Sequence, residues 1–484
     1  MSQTISPPQP ATAPLRPLCV DLDGTLVKSD TLVDSLVVLA RTRPALLFGV
    51  LRALVRGKAA VKAYVTQHTS LDVVHLPYNR KVLQLLQEQR RKGRDLYLTT
   101  GANEVLAQRV ATHLGIFNDT LGSSATTNLT GNRKLATLQA RFGADGFDYI
   151  GNDTPDLPLL AAAGVAMVAN PSLRLRRKLR ARHMTPALVL EERNGPLQSI
   201  FSAMRAHQWT KNLLIFLPLL LSHVLRAQRL LEALLAFCCF SLAASSAYIV
   251  NDLLDIEADR RHAKKRLRPF ASGDLSALTG LVLVAGFLLS AFAGARLLPV
   301  AFFAWLLLYL FATMAYSWYL KRIALVDVVV LSGLYTLRLL AGGGATRTHI
   351  SHWLAGFSIF LFFSLAIVKR FSELENLRSS GAPPRNGRGY LVADLNQLRS
   401  FGTASAFAAV MVFAIYISDS DVTVLYRHPQ LLWLIMPLMI LWLCRIWLLA
   451  SRGSLDEDPL VFALSDRMSL LIGIAVAVIA WLAV

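Results

Sequence analysis

Charge is scarce in this chain and cysteine scarcer still. Only 17% of the 484 residues are charged, against 54% hydrophobic, which excludes a disordered chain and does not suit an ordinary soluble enzyme. Acidic residues are the rarer sign, 31 against 50 Lys and Arg, for a net charge of +19. Four cysteines, Cys19, Cys238, Cys239 and Cys444, form no CxxC pair and no metal spacing, so neither a disulfide framework nor a zinc site is expected. The basic excess is not gathered into one soluble stripe with interleaved aromatics, so nucleic acid is not the expected partner. The stretch 1–17 is rich in Pro, Ser and Thr and lacks a basic start followed by an apolar core. It reads as a disordered tail and not as a secretory signal, which leaves the following domain in the cytoplasm.

Grease and charge are instead separated along the chain. The first 200 residues mix polar and apolar positions, whereas long apolar runs alternate with short basic loops from Lys211 onward. The composition changes near Gly195-Pro196, which predicts two domains: an α/β domain over 18–195 and an all-α polytopic membrane bundle over 196–484. A span needs about 20 apolar residues. Candidate spans are 212–226, 230–250, 275–295, 298–319, 325–345, 353–368, 401–417, 431–449 and 468–484, about nine transmembrane helices. With a cytoplasmic start, the loops after the even-numbered spans lie inside. They carry most of the Lys and Arg, including Arg260, Lys265, Arg268, Lys321, Lys369 and Arg370, whereas the opposite loops hold few. This predicts a multi-pass protein of the inner (plasma) membrane with its N-terminal domain cytoplasmic.

At the inner end of the second span the chain reads Asn251-Asp252-Leu253-Leu254-Asp255-Ile256-Glu257-Ala258-Asp259. Asp252, Asp255 and Asp259 fall at i, i+3 and i+7, one face of a helix, with Asn251 a turn before Asp255. Three carboxylates on one face repel, so the pattern suggests oxygen ligation of Mg2+ bridging to phosphate; a solvated helix end answered by arginines is the plainer alternative. Arg260, Lys265 and Arg268 follow at once and suit a diphosphate clamp, or else mark the inner face.

Asn251-Asp252-x-x-Asp255-x-x-x-Asp259, with Arg268-Pro269 and Gly273, resembles the first Asp-rich motif of the UbiA superfamily of intramembrane polyprenyl transferases. The resemblance covers roughly 200–484 and implies nine helices and a Mg-diphosphate held at a cytoplasmic mouth. Gln208-Trp209-Thr210-Lys211-Asn212, Arg338-x-x-Ala341-Gly342-Gly343 and Lys369-Arg370-x-x-Glu373-Leu374 are similar to the decaprenyl-phosphate phosphoribosyltransferase branch. That branch moves phosphoribose from phosphoribosyl diphosphate to a polyprenyl phosphate. The alternative is prenyl transfer from a polyprenyl diphosphate to an aromatic acceptor such as 4-hydroxybenzoate or a quinone precursor. It usually needs a second Asp-rich motif, and 369–399 offers only Glu373, Glu375 and Asp394. The resemblance and the topology add Lys211, Asn212, Tyr316, Lys321, Lys369, Arg370 and Glu373 as candidate substrate-binding residues, with Tyr316 equally readable as an interfacial belt residue. Expected partners are the lipid bilayer, a polyprenyl phosphate or diphosphate, and a small phosphorylated or aromatic co-substrate.

Near the N-terminus, Leu18-Cys19-Val20 reads as a strand leading into Asp21-Leu22-Asp23-Gly24-Thr25. Two carboxylates two residues apart past a strand end can divide labour, one attacking phosphorus and the other handling the proton of the leaving oxygen. The motif resembles the haloacid-dehalogenase-like phosphatase superfamily, a Rossmann-like α/β fold. That resemblance implies Asp21 as nucleophile, Asp23 as acid/base, Thr100 and Lys134 as phosphate-holding groups, and Mg2+ at Asp21, Asp23 and the loop Gly151-Asn152-Asp153-Thr154-Pro155-Asp156. Here Asn152 stands where the superfamily usually has Asp, so metal would rest on Asp153 and Asp156 or be weakly held. Residues 31–78 read as a helical cap, basic and apolar around Leu46 to Arg56, of a kind that can rest on a membrane surface. The basic stretch Arg174 to Arg193 either meets anionic headgroups or forms a solvated terminal helix.

Overall fold

The computed structural model describes residues 15–224, 226–380, 388–455 and 459–484. Most of the tail expected over 1–17 therefore lies outside the described residues. The chain forms two compact units, Met1–Met204 with Ile249–Leu283, and Arg205–Tyr248 with Val284–Val484. The division differs from a single cut near residue 195 because the segment carrying the Asp-rich motif packs with the α/β domain. Buried ion pairs from Arg260 and Asp274 to N-terminal residues explain why.

In the first unit, six parallel strands form one sheet in the order β3-β2-β1-β4-β5-β6. They are β1 (Leu18–Val20), β2 (Leu96–Asn103), β3 (Asp119–Ser123), β4 (Asp148–Gly151), β5 (Ala166–Ala169) and β6 (Leu188–Leu190). All three residues of β1 are fully buried, as a central strand covered on both faces requires. The chain leaves β1 toward β2 and β3 and later returns to β4 on its other side. The sheet therefore changes direction at β1, and the crevice beyond its carboxyl end is where open α/β sheets place ligands. Asp21, the end of β2 and the Gly151-Asn152 turn all reach this crevice. The six-strand order and the aspartate after β1 agree with a haloacid-dehalogenase-like architecture.

The cap is built as expected from helices inserted after β1: α1 (Thr31–Thr42), α2 (Leu47–Val55) and α3 (Lys58–His68), before α4 (Arg80–Arg91) rejoins the sheet. Asp30 caps α1, its Oδ1 accepting from the amides of Leu32 and Val33 at 2.9 and 3.2 Å. Gly57, at φ +104°, makes the reversal between α2 and α3.

Seven described helices are long and apolar enough to cross a membrane: Ala227–Leu254, Ala277–Ala295, Val300–Trp318, Val326–Thr346, His352–Ser379, Val392–Ser418 and Pro429–Ser451. The expected count of about nine is not reproduced by this criterion. The first expected span, 212–226, is broken: Ala206–Phe216 winds as a 3-10 helix and only Leu217–Leu221 is α-helical, with Pro218 near the junction. The ninth is the helix Arg467–Ala483, at 17 residues shorter than a typical span. Within the second unit, Gly342 lets the helix Val326–Thr346 approach the 206–216 segment, since a Cβ there would lie 2.1 Å from the Ile215 carbonyl oxygen.

Candidate active sites

The crevice at the end of β1 is a cavity of about 360 Å3 lined by acidic Asp21, Asp23, Asp30, Asp153 and Asp156 and by basic Lys28, Lys62, Lys134 and Arg193. Lys134, on helix α6 (Asn132–Phe142), donates to Asp21 Oδ1 at 2.7 Å and to the Tyr149 hydroxyl at 2.8 Å, and lies 3.7 Å from Asp156 Oδ1. The Tyr149 hydroxyl donates on to Asp156 Oδ1 at 2.8 Å. Burial alone would lower the Lys134 pKa, but the charges of Asp21 and Asp156 outweigh it and hold the ammonium above its usual value. Burial raises Asp21 to about 6, moderated by Lys134. Burial, with the Asp30 charge, raises Asp23 to about 8 although the Thr31 amide donates to its Oδ1 at 2.8 Å. Both carboxyls are raised, Asp23 further than Asp21, which is the direction of difference that a nucleophile and a neighbouring acid need.

Other expected residues sit differently. Thr100 is fully buried, outside the cavity lining, and its hydroxyl accepts from the Ala102 amide at 2.9 Å; Gly101 and Thr130 line the cavity instead. Asp156 is turned inward, its Oδ2 accepting from the amides of Asn152 and Asp153 at 3.0 and 3.3 Å. Asp153 Oδ1 accepts from the Ser172 hydroxyl at 2.6 Å. Asn152 packs on Gly24, where a Cβ would meet its amide nitrogen at 2.0 Å, and Gly24 also has φ +76°. Asp21, Asp23 and Asp153 thus each have one carboxylate oxygen engaged, whereas both oxygens of Asp156 are taken. Buried Asp21, half-buried Asp23 and Asp153 and the Asn152 amide fit Mg2+ in chemistry, with water and substrate oxygens completing the shell. Lys62, absent from the sequence expectations, reaches in from α3 to donate to the Gly101 carbonyl at 2.5 Å and Asn128 Oδ1 at 2.8 Å. Lys62 belongs to no short motif, and Tyr149 stands within the metal-loop stretch 147–156 without a role expected for it, so their parts appear only when the cap and β4 close on the crevice.

The Asp-rich segment lies in the same unit. The helix Ala227–Leu254 ends one residue before Asp255, and a short helix Ile256–Arg261 follows, so the i, i+3, i+7 face is not carried on one uninterrupted helix. Asp252 and Asp259 nevertheless converge: Arg268 Nη1 donates to Asp252 Oδ1 at 3.1 Å and to Asp259 Oδ2 at 2.7 Å, with both carboxylates buried. Asp255 lies 3.4 Å from Arg41. Two buried carboxylates sharing one cation form a donor set that suits Mg2+ chemically. Among the described residues, no three His, Cys, Asp or Glu side chains gather closely enough to hold a metal by themselves. Asn251 is half-buried and Lys265 is exposed. Arg260 departs from the expected clamp: it is buried, with Nη2 2.8 Å from Asp34 Oδ2 and 3.1 Å from Ser29 Oγ, and its Nε donates to the Ala271 carbonyl at 3.1 Å.

The second unit gathers two polar clusters inside its helices. Arg370, 1% exposed, pairs through Nε with Asp327 at 2.6 Å and through Nη1 with both oxygens of Glu373 at 2.7 and 2.8 Å. The Tyr316 hydroxyl accepts from Arg370 and Arg388, both at 3.2 Å, and Tyr390 donates to Asp327. Asp327, Arg388 and Tyr390 were not anticipated; a lone aspartate opening a span was the available signal for the first. In the other cluster Arg338 donates to Asn212 Oδ1 at 2.9 Å and to the Tyr309 hydroxyl at 3.2 Å, and Asn212 donates to Ser241 at 2.9 Å. Lys211 sits 5.8 Å from the centroid of the Tyr335 ring. Lys321 and Lys369 are half-buried at helix ends or within the helix His352–Ser380. An apolar cavity of about 590 Å3, lined by residues including Val329, Phe360, Phe363 and Phe401, is of a kind that accepts a hydrocarbon chain.

The chain thus joins an α/β unit with an acidic crevice at the end of β1 to a unit of long apolar helices with buried guanidinium clusters. A family model described as the UbiA prenyltransferase family matches residues 213–471, and the chain belongs to that family. It is 38% identical over 464 residues to Uncharacterized protein y4nM of Sinorhizobium fredii, covering 95% of this chain and 90% of that one. It is 33% identical over 245 residues to decaprenyl-phosphate phosphoribosyltransferase of Mycobacterium tuberculosis, covering 49% of this chain and 80% of that one. Among solved structures it is similar to a UbiA homolog from Archaeoglobus fulgidus bound to GPP and Mg2+, with a TM-score of 0.45 and 18% identity, covering 59% of this chain and 98% of that one.

Proposed function

We propose that this protein transfers phosphoribose from phosphoribosyl diphosphate to a polyprenyl phosphate at the cytoplasmic face of the plasma membrane, and that its N-terminal domain removes the phosphate from the product. The observation that carries the first part is the 33% identity to decaprenyl-phosphate phosphoribosyltransferase over 80% of that enzyme. The Asp252, Asp259 and Arg268 cluster supports it as a place where anionic side chains and a cation meet diphosphate chemistry. In the transfer, the bond from ribose C1 to the diphosphate oxygen breaks and one from C1 to an acceptor phosphate oxygen forms, with diphosphate leaving. Mg2+, when bound by Asp252 and Asp259, supplies charge that stabilises the departing diphosphate. Arg268, which donates to both carboxylates, holds them together.

In the N-terminal crevice, Asp21 attacks phosphorus as Asp23 gives its proton to the leaving ester oxygen. Water then cleaves the aspartyl phosphate, Asp23 recovering a proton from it. Lys134 holds Asp21 in place and neutralises incoming phosphate. The elevated proton affinity of Asp23 beside the more acidic Asp21 supports this assignment.

The test is incubation of the purified chain with Mg2+, polyprenyl phosphate and phosphoribosyl diphosphate labelled in the ribose carbons. Label should enter the lipid phase, and Asp252→Ala should abolish it. Unlabelled lipid from active, folded protein would refute the donor assignment. Asp21→Asn should accumulate the phosphorylated lipid; equal amounts in wild type and variant would refute the phosphatase role.

A further inference from the structure

The α2 helix of the cap has an apolar face that no described residue of its own unit covers. Its inner side, Val50 and Ala53, packs on Val61 and Val65 of α3. On the outer side Phe48, Leu51, Leu54 and Val55 are 74, 60, 55 and 91% exposed, spaced i, i+3, i+6 and i+7 along one face. Exposed apolar side chains this concentrated on one short helix mark an interaction surface. Its charge identifies the occupant: between Asp34 and Asp72 there is no acidic residue, while Arg41, Arg43, Arg52, Arg56, Lys58 and Lys62 are all basic. Arg41 and Lys62 are engaged elsewhere, but Arg43, Arg52, Arg56 and Lys58 are exposed along this stretch, and an apolar face flanked by such cations matches an anionic lipid surface.

Position supports the same occupant. Arg41, in the last turn of α1, donates to the carbonyl of Leu254 at 3.1 Å, and Leu254 is the last residue of the spanning helix Ala227–Leu254. The chain enters the apolar segment Pro44–Val55 three residues later, so this segment starts beside the end of a span. The other side of the hairpin leads to chemistry: α3, against which α2 packs, carries Lys62 into the Asp21 crevice.

We propose that the face of α2 formed by Phe48, Leu51, Leu54 and Val55 inserts into the anionic leaflet, holding the crevice at the interface so that it takes phosphate esters carried on lipid. The insertion stands on the exposed face alone, and the choice of substrate rests on the phosphatase reading above.

The test uses the full chain in vesicles, with a photo-crosslinking benzoylphenylalanine in place of Leu51 or, as control, of the exposed Val105 on α5 (Glu104–Leu114). Position 51 should form lipid adducts in phosphatidylcholine vesicles containing phosphatidylglycerol, several-fold fewer in phosphatidylcholine alone, and position 105 should form few in either. Adducts to a second copy of the chain, or equal lipid labelling at both positions, would overturn insertion. In parallel, Leu51→Glu with Leu54→Glu should lower hydrolysis of a lipid-borne phosphate ester at least tenfold and leave p-nitrophenyl phosphate turnover unchanged. An equal loss on both substrates, or no loss on either, would overturn delivery. Were wild type to hydrolyse neither, the phosphatase reading would fail while the adducts still decided insertion.

Discussion

Replacing Arg260 by Ala removes one partner of a buried ion pair and leaves Asp34 behind. Both side chains are 4% exposed, and Asp34 keeps only the Ser29 hydroxyl at 2.7 Å among its described side-chain partners. A buried pair broken on one side costs about 3 to 5 kcal/mol, because the remaining charge is desolvated without compensation. The loss falls on the segment between β1 and α1, since Ser29 also accepts, through its carbonyl, from the Gly24 amide at 3.3 Å beside the DxD loop. The readout is hydrogen exchange of amides in 24–34 and 256–274 in detergent-solubilised protein. Three kcal/mol corresponds to exchange about a hundredfold faster if these amides open together. Arg260→Met with Asp34→Leu should recover most of the protection, because an apolar pair of similar volume leaves no charge stranded. If Arg260→Ala exchanges within about threefold of wild type, Asp34 is adequately solvated without its partner and the reasoning fails. An effect confined to lipid labelling, with protection unchanged, would return Arg260 to the substrate-clamp role expected from its sequence neighbours.

Gly342→Ala should lower thermal stability by about 1 to 3 kcal/mol, because the new Cβ meets backbone and not a movable side chain, whereas Gly333→Ala on the same helix, with nothing within 4 Å, should be neutral or slightly stabilising. Equal melting temperatures for the two variants would contradict this. Asp466 caps the helix Arg467–Ala483, accepting from the Ser469 amide at 2.8 Å, and Arg445 beside it holds its carboxyl down to about 2. A depressed carboxyl stabilises above its unfolded value near 4 and loses that contribution as pH falls toward its folded value. Asp466→Ala should therefore melt earlier than wild type near neutral pH, by about 1 kcal/mol, and the gap should close as pH drops from about 4 to 2; a gap independent of pH would refute the ionic part.

Those features that depend on local chemistry could be read from the sequence. The DxD after a buried strand, the helical cap and the long apolar runs each carry their signal within a few residues. Features that depend on which residues meet across long separations could not. Asp327 and Tyr390 are 63 residues apart and Arg260 and Asp34 are 226 apart, and neither pair has a spacing that announces it. The clamp reading of Arg260 came from its sequence neighbours, whereas a carboxylate elsewhere in the unit claims the guanidinium. The first expected span failed for a different reason. Its hydropathy was adequate, but hydropathy does not register that Pro218 and the 3-10 winding of Ala206–Phe216 interrupt the helix. Thr100 shows the limit of motif position alone, since the hydroxyl at the expected place in the strand is fully buried and Gly101 and Thr130 line the crevice instead.

Arg370 offers a way to separate a structural carboxylate from one that competes with substrate. Its guanidinium faces two: Asp327, fully buried, at Nε, and Glu373, 34% exposed, at Nη1. Neutralising Asp327 would strand part of a guanidinium in the interior and turn one of the two oxygens that accept from Arg370 and Tyr390 into an NH2 donor, so Asp327→Asn should destabilise by about 3 kcal/mol or more. Glu373 is wetter, and pairs at such sites contribute about 0 to 1 kcal/mol, so Glu373→Gln should leave the melting temperature nearly unchanged. Its charge also occupies the Nη1 edge that an anionic donor would use, and Arg388 Nε lies 3.8 Å from its Oε2. Releasing those cations should lower KM for the donor several-fold while kcat changes less. Both variants are compared in one detergent by thermal shift and initial rates. If Glu373→Gln unfolds the protein as readily as Asp327→Asn, or raises KM at unchanged stability, Glu373 is not a competitor for the anion but part of what holds or binds it.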